Sequence, residues 1–166
     1  MTELTPYTRL YPNYAGEALP TWVLAARATL VGDAAHTHGG AFAAGGSLAL
    51  DDSFALALAL RHAFSLAQPE TFNNGPSNVR RALELYDQTR RPHTARLLEI
   101  VHGQINKKPE VYGSPEEENL ALISKMTNRP DTTWLSEHDV IEVFQRVLEN
   151  QQATRNERTE EQKSKL

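Results

Sequence analysis

Residues 27–53 read Arg-Ala-Thr-Leu-Val-Gly-Asp-Ala-Ala-His-Thr-His-Gly-Gly-Ala-Phe-Ala-Ala-Gly-Gly-Ser-Leu-Ala-Leu-Asp-Asp-Ser. The apolar run 28–31 suits a short buried strand, and Gly32-Asp33 stops it because this pair favours a turn. A permissive Gly/Ala stretch follows, and Gly45-Gly46-Ser47 then opens a long helix. This layout suits a ligand. Glycines let it approach the backbone, and the first amides of a helix have no partner within that helix. Asp33 would stand at the carboxyl end of a strand, where open α/β sheets place binding groups. Taken alone, Asp33 reads first as the cap of the next turn, as Gly-Asp pairs often are.

Composition narrows the function classes. A chain of 166 residues, 40% of them apolar, can bury one real core. Seventeen Lys and Arg against 21 Asp and Glu give a net charge of −4, which argues against a nucleic-acid partner. With no cysteine, disulfides, thiolate metal sites and a Cys nucleophile are excluded, and redox chemistry has to come from a cofactor. The first residues lack the basic-then-apolar order of a signal peptide. The most apolar run, 54–60, is far below the ~20 residues of a membrane span, so no membrane partner is expected.

Outward from the opening motif, aromatic and β-branched residues at 7–14 favour an extended segment, limited to an edge by Pro12. Residues 16–21 form a connector. The helix over 47–67 carries Leu48, Leu50, Phe54, Leu56, Leu58 and Leu60 all around its axis, which predicts burial on most sides. Asn74-Gly75-Pro76 marks a turn within a loop over 68–78. A second helix spans 77–91 with Val79, Leu83 and Tyr86 on one face. Pro92 breaks or kinks it, and Leu97, Leu98, Val101 and Ile105 carry it on to Asn106 before Lys107-Lys108-Pro109. Ser114-Pro115 followed by three glutamates predicts a third helix with Leu120, Ile123 and Met126 on its apolar face. Ser136-Glu-His-Asp139 reads as a capping box ahead of Val140, Val143, Phe144, Val147 and Leu148. Residues 150–166 are almost wholly polar and read as a disordered tail.

Ungapped, the 27–53 segment resembles the second flavin-binding motif of the FAD-dependent aromatic monooxygenases, the salicylate-hydroxylase-like group with the para-hydroxybenzoate hydroxylase fold. That motif runs Gly-Asp-Ala-Ala-His, three residues, Pro, then Gln-Gly-x-Asn opening a helix with Glu-Asp-Ala one turn in. Gly32 to His36 match the first block. Gly40 stands for the Pro, Ala44 for the Gln, Gly45 for the Gly, Ser47 for the Asn, and Asp51-Asp52-Ser53 for the Glu-Asp-Ala. Two further stretches resemble the family: Tyr86 to Arg96, like Tyr-x-x-x-Arg-Arg-Pro-x-x-x-Arg, and Trp134 to Asp139, like Trp-x-x-x-His-Asp in fungal members. For these two, helix packing is the expected role. The likeness covers roughly residues 5–149.

The resemblance implies a mainly α chain with a few short strands, the C-terminal portion of an α/β FAD-binding fold, with a partial FAD-binding domain over 1–149. It implies FAD as cofactor, NAD(P)H as reductant and a small aromatic or polyketide-like substrate that is hydroxylated with dioxygen. Gly32, Asp33 and Ala34 would meet the ribityl chain, with Asp33 accepting its hydroxyls. Amides around Gly45, Gly46 and Ser47 would face the pyrimidine edge of the ring. The family's Gly-x-Gly-x-x-Gly fingerprint for the pyrophosphate does not occur in this sequence. The expectation is therefore a truncated member, inactive alone or completed by a separate N-terminal half. The alternative is a non-catalytic helical remnant that binds a partner. Loss of covering over the 47–67 helix also predicts self-association. His36 and His38, two residues apart without thiolate or carboxylate support, make a weak metal signature, and no metal is expected; His36 suits packing or holding a neighbouring ligand-binding group in place. Asp51 and Asp52 read as partners of the helix dipole. Hydrolase chemistry has no matching motif. Ser164-Lys165-Leu166 matches the peroxisomal import address, and the cytoplasm is the expectation without it.

Overall fold

A computed structural model describes residues 7, 9, 12–65, 75–106, 110–128 and 131–164. The chain is mainly helical with two short strands. β1 (Val23–Leu24) and β2 (Ala28–Thr29) pair antiparallel, with Val23 opposite Thr29 and Leu24 opposite Ala28. Only half of the expected 28–31 strand is paired, because its partner is the hairpin's own two-residue arm. The expected extended segment near residue 14 appears as a single bridge, Ala15 to His38. The rest of the 7–14 segment forms no strand among its described residues.

α1 (Asp33–His36) is one turn long, and α2 (Gly45–Ser65) follows after a 3-10 turn at Ala41–Ala43. The burial of α2 differs from the expectation. Its covered face is Leu48, Asp52, Ala55, Ala59 and Ala63, whereas Leu50, Phe54, Leu60 and Phe64 are exposed. The reason is spacing: three alanines four residues apart form a smooth stripe against which another helix packs closely. That helix is α3 (Gly75–Ile105), which contributes Ala82, Leu85 and Tyr86 to the same cluster. α3 is continuous across Pro92, so of the expected break or kink the break does not occur. Residues on both sides of Pro92, from Ala82 to Val101, are buried, and that packing holds the helix through the one backbone bond the proline removes. The predicted turn's Asn74 and the segment 107–109 lie outside the described residues.

α4 (Pro115–Thr127) begins as predicted. Ser114 Oγ accepts from the Glu117 amide at 3.2 Å, and the Glu117 carboxylate accepts from the Gly113 amide at 2.7 Å. Its predicted apolar face is solvent-exposed at Leu120, Ile123 and Met126, since no α4 residue is buried. α5 (Thr133–Ser136) takes up the Ser136 expected to cap the last helix. α6 (Val140–Ser164) starts instead at Asp139, whose Oδ1 accepts from the amides of Ile141 and Glu142. Val140 and Phe144 enter the α2–α3 cluster, with Val147 and Leu148 beside them. α6 runs through residues 150–164, where a disordered tail is expected from the sequence. Helix-forming Gln, Arg and Glu extend an existing helix without a new nucleus, and residues 152–162 are exposed all round. Lys165 and Leu166 of the import-like ending lie outside the described residues. Among the described residues no helix is long and apolar enough to cross a membrane.

Candidate functional site

Gly32 sets the geometry. Its φ of 61° and ψ of −138° lie where side chains are strained, and an added Cβ would stand 3.4 Å from the Ala49 methyl of α2. The backbone of the Gly-Asp turn therefore sits directly against α2. Asp52, about two turns into α2, reaches that turn: its Oδ2 accepts from the Gly32 amide at 3.0 Å and pairs with His36 Nε2 at 2.7 Å. Its Oδ1 accepts from Arg90 Nε of α3 at 2.8 Å. Arg90 also approaches Asp51 at 3.6 Å and the Leu48 carbonyl at 3.5 Å. Asp52, His36 and Arg90 are all buried. Burial pushes the Asp52 carboxyl up, but hydrogen bonds from His36, Arg90 and the Gly32 amide outweigh it and hold the group below its ordinary range.

α3 holds the hairpin in the same way. Asp87 accepts from the Trp22 amide at 2.7 Å and from Arg91 Nε at 3.0 Å, and Tyr86 donates to the Leu30 carbonyl at 3.0 Å. From the second resembling stretch, Tyr86 thus holds Leu30 at the strand end directly, Arg90 reaches the Gly32 turn through Asp52, and Arg91 steadies the Asp87 that holds Trp22. Trp134 and Leu135, from the third, pack on the cluster of Ala44, Leu48, Leu97 and Val101 behind the start of α2. Packing is the role expected for these two stretches. The reading of Asp52 as a dipole partner is corrected: it is the buried acceptor joining three elements.

The predicted site residues divide cleanly. Asp33, Ala34, Gly46 and Ser47 are exposed, Gly45 is half-buried and Gly32 is buried. Asp33 does not cap its turn: α1 has no side-chain cap, and the Asp33 carboxylate makes no hydrogen bond among the described residues. An added Cβ at Gly45 would stand 3.7 Å from Asp33 Oδ1 and 3.6 Å from His38 Nε2, so the turn and the start of α2 border one gap. Gly45, Gly46 and Ser47 occupy the first turn of α2, whose amides lack intrahelical partners; Ser47 Oγ donates to the Ala44 carbonyl at 2.9 Å. His38 is buried beside them. Burial, then the neighbouring His36, lowers its pKa, with Asp33 acting in the opposite sense.

No family model, curated protein or solved structure matches this chain. The site's reading therefore rests on its own geometry. An uncommitted carboxylate and a row of free amides at a positive helix end stand on one edge. Together they can accept from hydroxyls and donate to an anionic or polarised group. Among the described residues no three His, Asp or Glu side chains gather as metal ligands. Sequence reading missed Asp52, Arg90 and Asp87. One signal was available: Asp52 lies four residues after Leu48 and three before Ala55, on the stripe that α2 buries, where a carboxylate needs a cation.

Proposed function

We propose that this chain supplies the ribityl and pyrimidine-edge contacts of a salicylate-hydroxylase-like FAD-dependent monooxygenase. The observation that carries this reading is the pairing of the uncommitted Asp33 carboxylate with the α2 amides across the gap at Gly45. The residues present fit such a group. Asp33 would accept from its hydroxyls, Gly32 and Ala34 would lie along the chain, and Gly45, Gly46 and Ser47 would donate to the ring edge. The chemistry supplied with FAD bound is NAD(P)H- and dioxygen-dependent hydroxylation of a small aromatic or polyketide-like molecule. This chain's part is electrostatic: fixed amides and the helix end stabilise negative charge facing them. The buried Asp52 network keeps the two sides of the gap in register.

A second reading is a non-catalytic helical protein that binds a partner through α2. The exposed Leu50, Phe54, Leu60 and Phe64 favour it.

Flavin-fluorescence titration of the full chain with FAD, beside an Asp33→Asn variant, tests the first reading. With no pyrophosphate-binding fingerprint in the sequence, saturable binding weaker than about micromolar is expected, and about tenfold weaker still in the variant. Superimposable titrations for the two proteins would reject the flavin site and leave the second reading.

A further inference from the structure

The far end of α2 carries a different kind of concavity. His62, about 25 Å along the helix from Gly45, stands between two recesses where α2 meets α3 and α6. The first, about 360 Å³, is lined by His62, Arg81 of α3 and Leu148, Gln151, Gln152 and Arg155 of α6. The second, about 330 Å³, shares His62 and Leu148 and adds the apolar side chains of Leu58, Ile141 and Phe144, with Arg61 beside them. Both volumes fall in the range of small-molecule sites, and the mix of apolar wall with a few placed polar groups is usual there.

The charge is one-sided. No Asp or Glu lines either recess. Arg61, Arg81 and Arg155 come from three helices, and none makes an ion pair among the described residues. Arg81 and Arg155 border the first recess and Arg61 the second, so both are positive in a chain of net charge −4. His62 senses Arg81: burial, then the Arg81 guanidinium, holds its imidazole below the ordinary range. Its ring meets Phe144 edge-on, with centroids 6.0 Å apart, and His62 and Leu148 line both recesses, so the polar and apolar parts adjoin there.

We propose that this cleft binds an amphiphilic organic anion, an acyl or aryl carboxylate. Its carboxylate lies between Arg81 and Arg155, and its apolar part lies against Leu148 and Phe144. A bare inorganic anion would leave the apolar wall wet, and a neutral amphiphile would leave the guanidinium groups unpaired. The site stands apart from the Gly-Asp turn and does not depend on its flavin reading.

The test is an NMR titration of the full chain that follows the His62 ring. Octanoate is the probe, with octanol, inorganic phosphate and a glutamate-rich peptide as comparators. Octanoate should saturate and raise the His62 pKa, because an anion offsets Arg81. Both arginines are exposed, so Arg81→Gln with Arg155→Gln should leave the melting curve unchanged and weaken octanoate about tenfold. If that pair melts lower, the Arg81→Lys, Arg155→Lys pair, which keeps the charge, decides by retaining binding. Asp33→Asn should leave the octanoate titration untouched. No saturation by octanoate, equal binding of octanol or phosphate, tighter binding of the peptide, or unaltered binding in the glutamine pair would each overturn the proposal.

Discussion

Arg90 Nε lies 2.8 Å from Asp52 Oδ1, and neither side chain is exposed to solvent. Two ions buried together are stable only when their remaining valences are met, and the Gly32 amide and His36 complete the carboxylate's shell. Asp52→Asn keeps the shape and leaves the buried guanidinium only the more distant, part-exposed Asp51 carboxylate at 3.6 Å. The expected cost is about 3–5 kcal/mol in urea unfolding. A loss below about 1 kcal/mol would show that the three elements are not joined here. The pH sign follows from the depressed Asp52 pKa. Its stabilisation is fully present above the unfolded carboxyl value of 3.8 and is lost as pH falls through the lower folded value.

Much of the frame was legible because it is local. The α4 start is written in Ser114, Pro115 and Glu117, and the α6 core face is written in Val140 and Phe144 at helical spacing. The burial of α2 was not legible, because leucine outweighs alanine in any hydrophobicity reading. The facing helix chose the smooth Ala55, Ala59, Ala63 stripe instead. At the candidate site, Asp33 and Gly45 stand only twelve residues apart on one turn and the helix after it, whereas the Asp52 to Arg90 bond spans 38 residues and depends on how two helices dock.

His93 and His138 stack with ring centroids 3.8 Å apart, and Trp134 meets His93 edge-on at 5.1 Å. Neither Nε2 has a partner among the described residues. Burial, then His138, Arg90 and Arg96, lowers the His93 pKa from 6.5 to about 3, with Asp52 opposing; burial and then Arg90 lower that of His138, against Asp51 and Asp139. A histidine depressed on folding is protonated first in the unfolded chain. The stabilisation is thus complete above pH 6.5 and drains away as pH falls towards about 3. Denaturation midpoints measured across that window should fall steadily. His93→Gln should flatten the slope, and an unchanged slope would place the acid sensitivity elsewhere.

The β1–β2 turn holds Ala25 and Ala26 at φ of 50° and 56°. Left-handed backbone brings Cβ against the following carbonyl and costs roughly 1–2 kcal/mol per residue. Ala26→Gly removes that strain, while the looser unfolded chain takes back part of the gain. A net stabilisation of about 0.5–1 kcal/mol is expected by thermal melting. Destabilisation would mean that the Ala26 methyl makes contacts worth more than the strain.

On α2, Leu50, Phe54, Ala57 and Phe64 recur at spacings of four, three and seven, so they form one exposed stripe along the helix. Leu50 is 73% exposed and Phe54 is 46% exposed, which is costly for side chains of this size in water. Helical stripes of this kind bury themselves against a second surface when one is within reach. The expected behaviour is concentration-dependent self-association, seen as a molar mass that rises with loading in light scattering coupled to size exclusion. Leu50→Gln with Phe54→Gln should return the mass to 18.5 kDa while leaving the helical signal intact, since neither residue belongs to the buried clusters. A constant monomer mass for the unaltered chain, with little binding of a hydrophobic dye, would rule out association through α2.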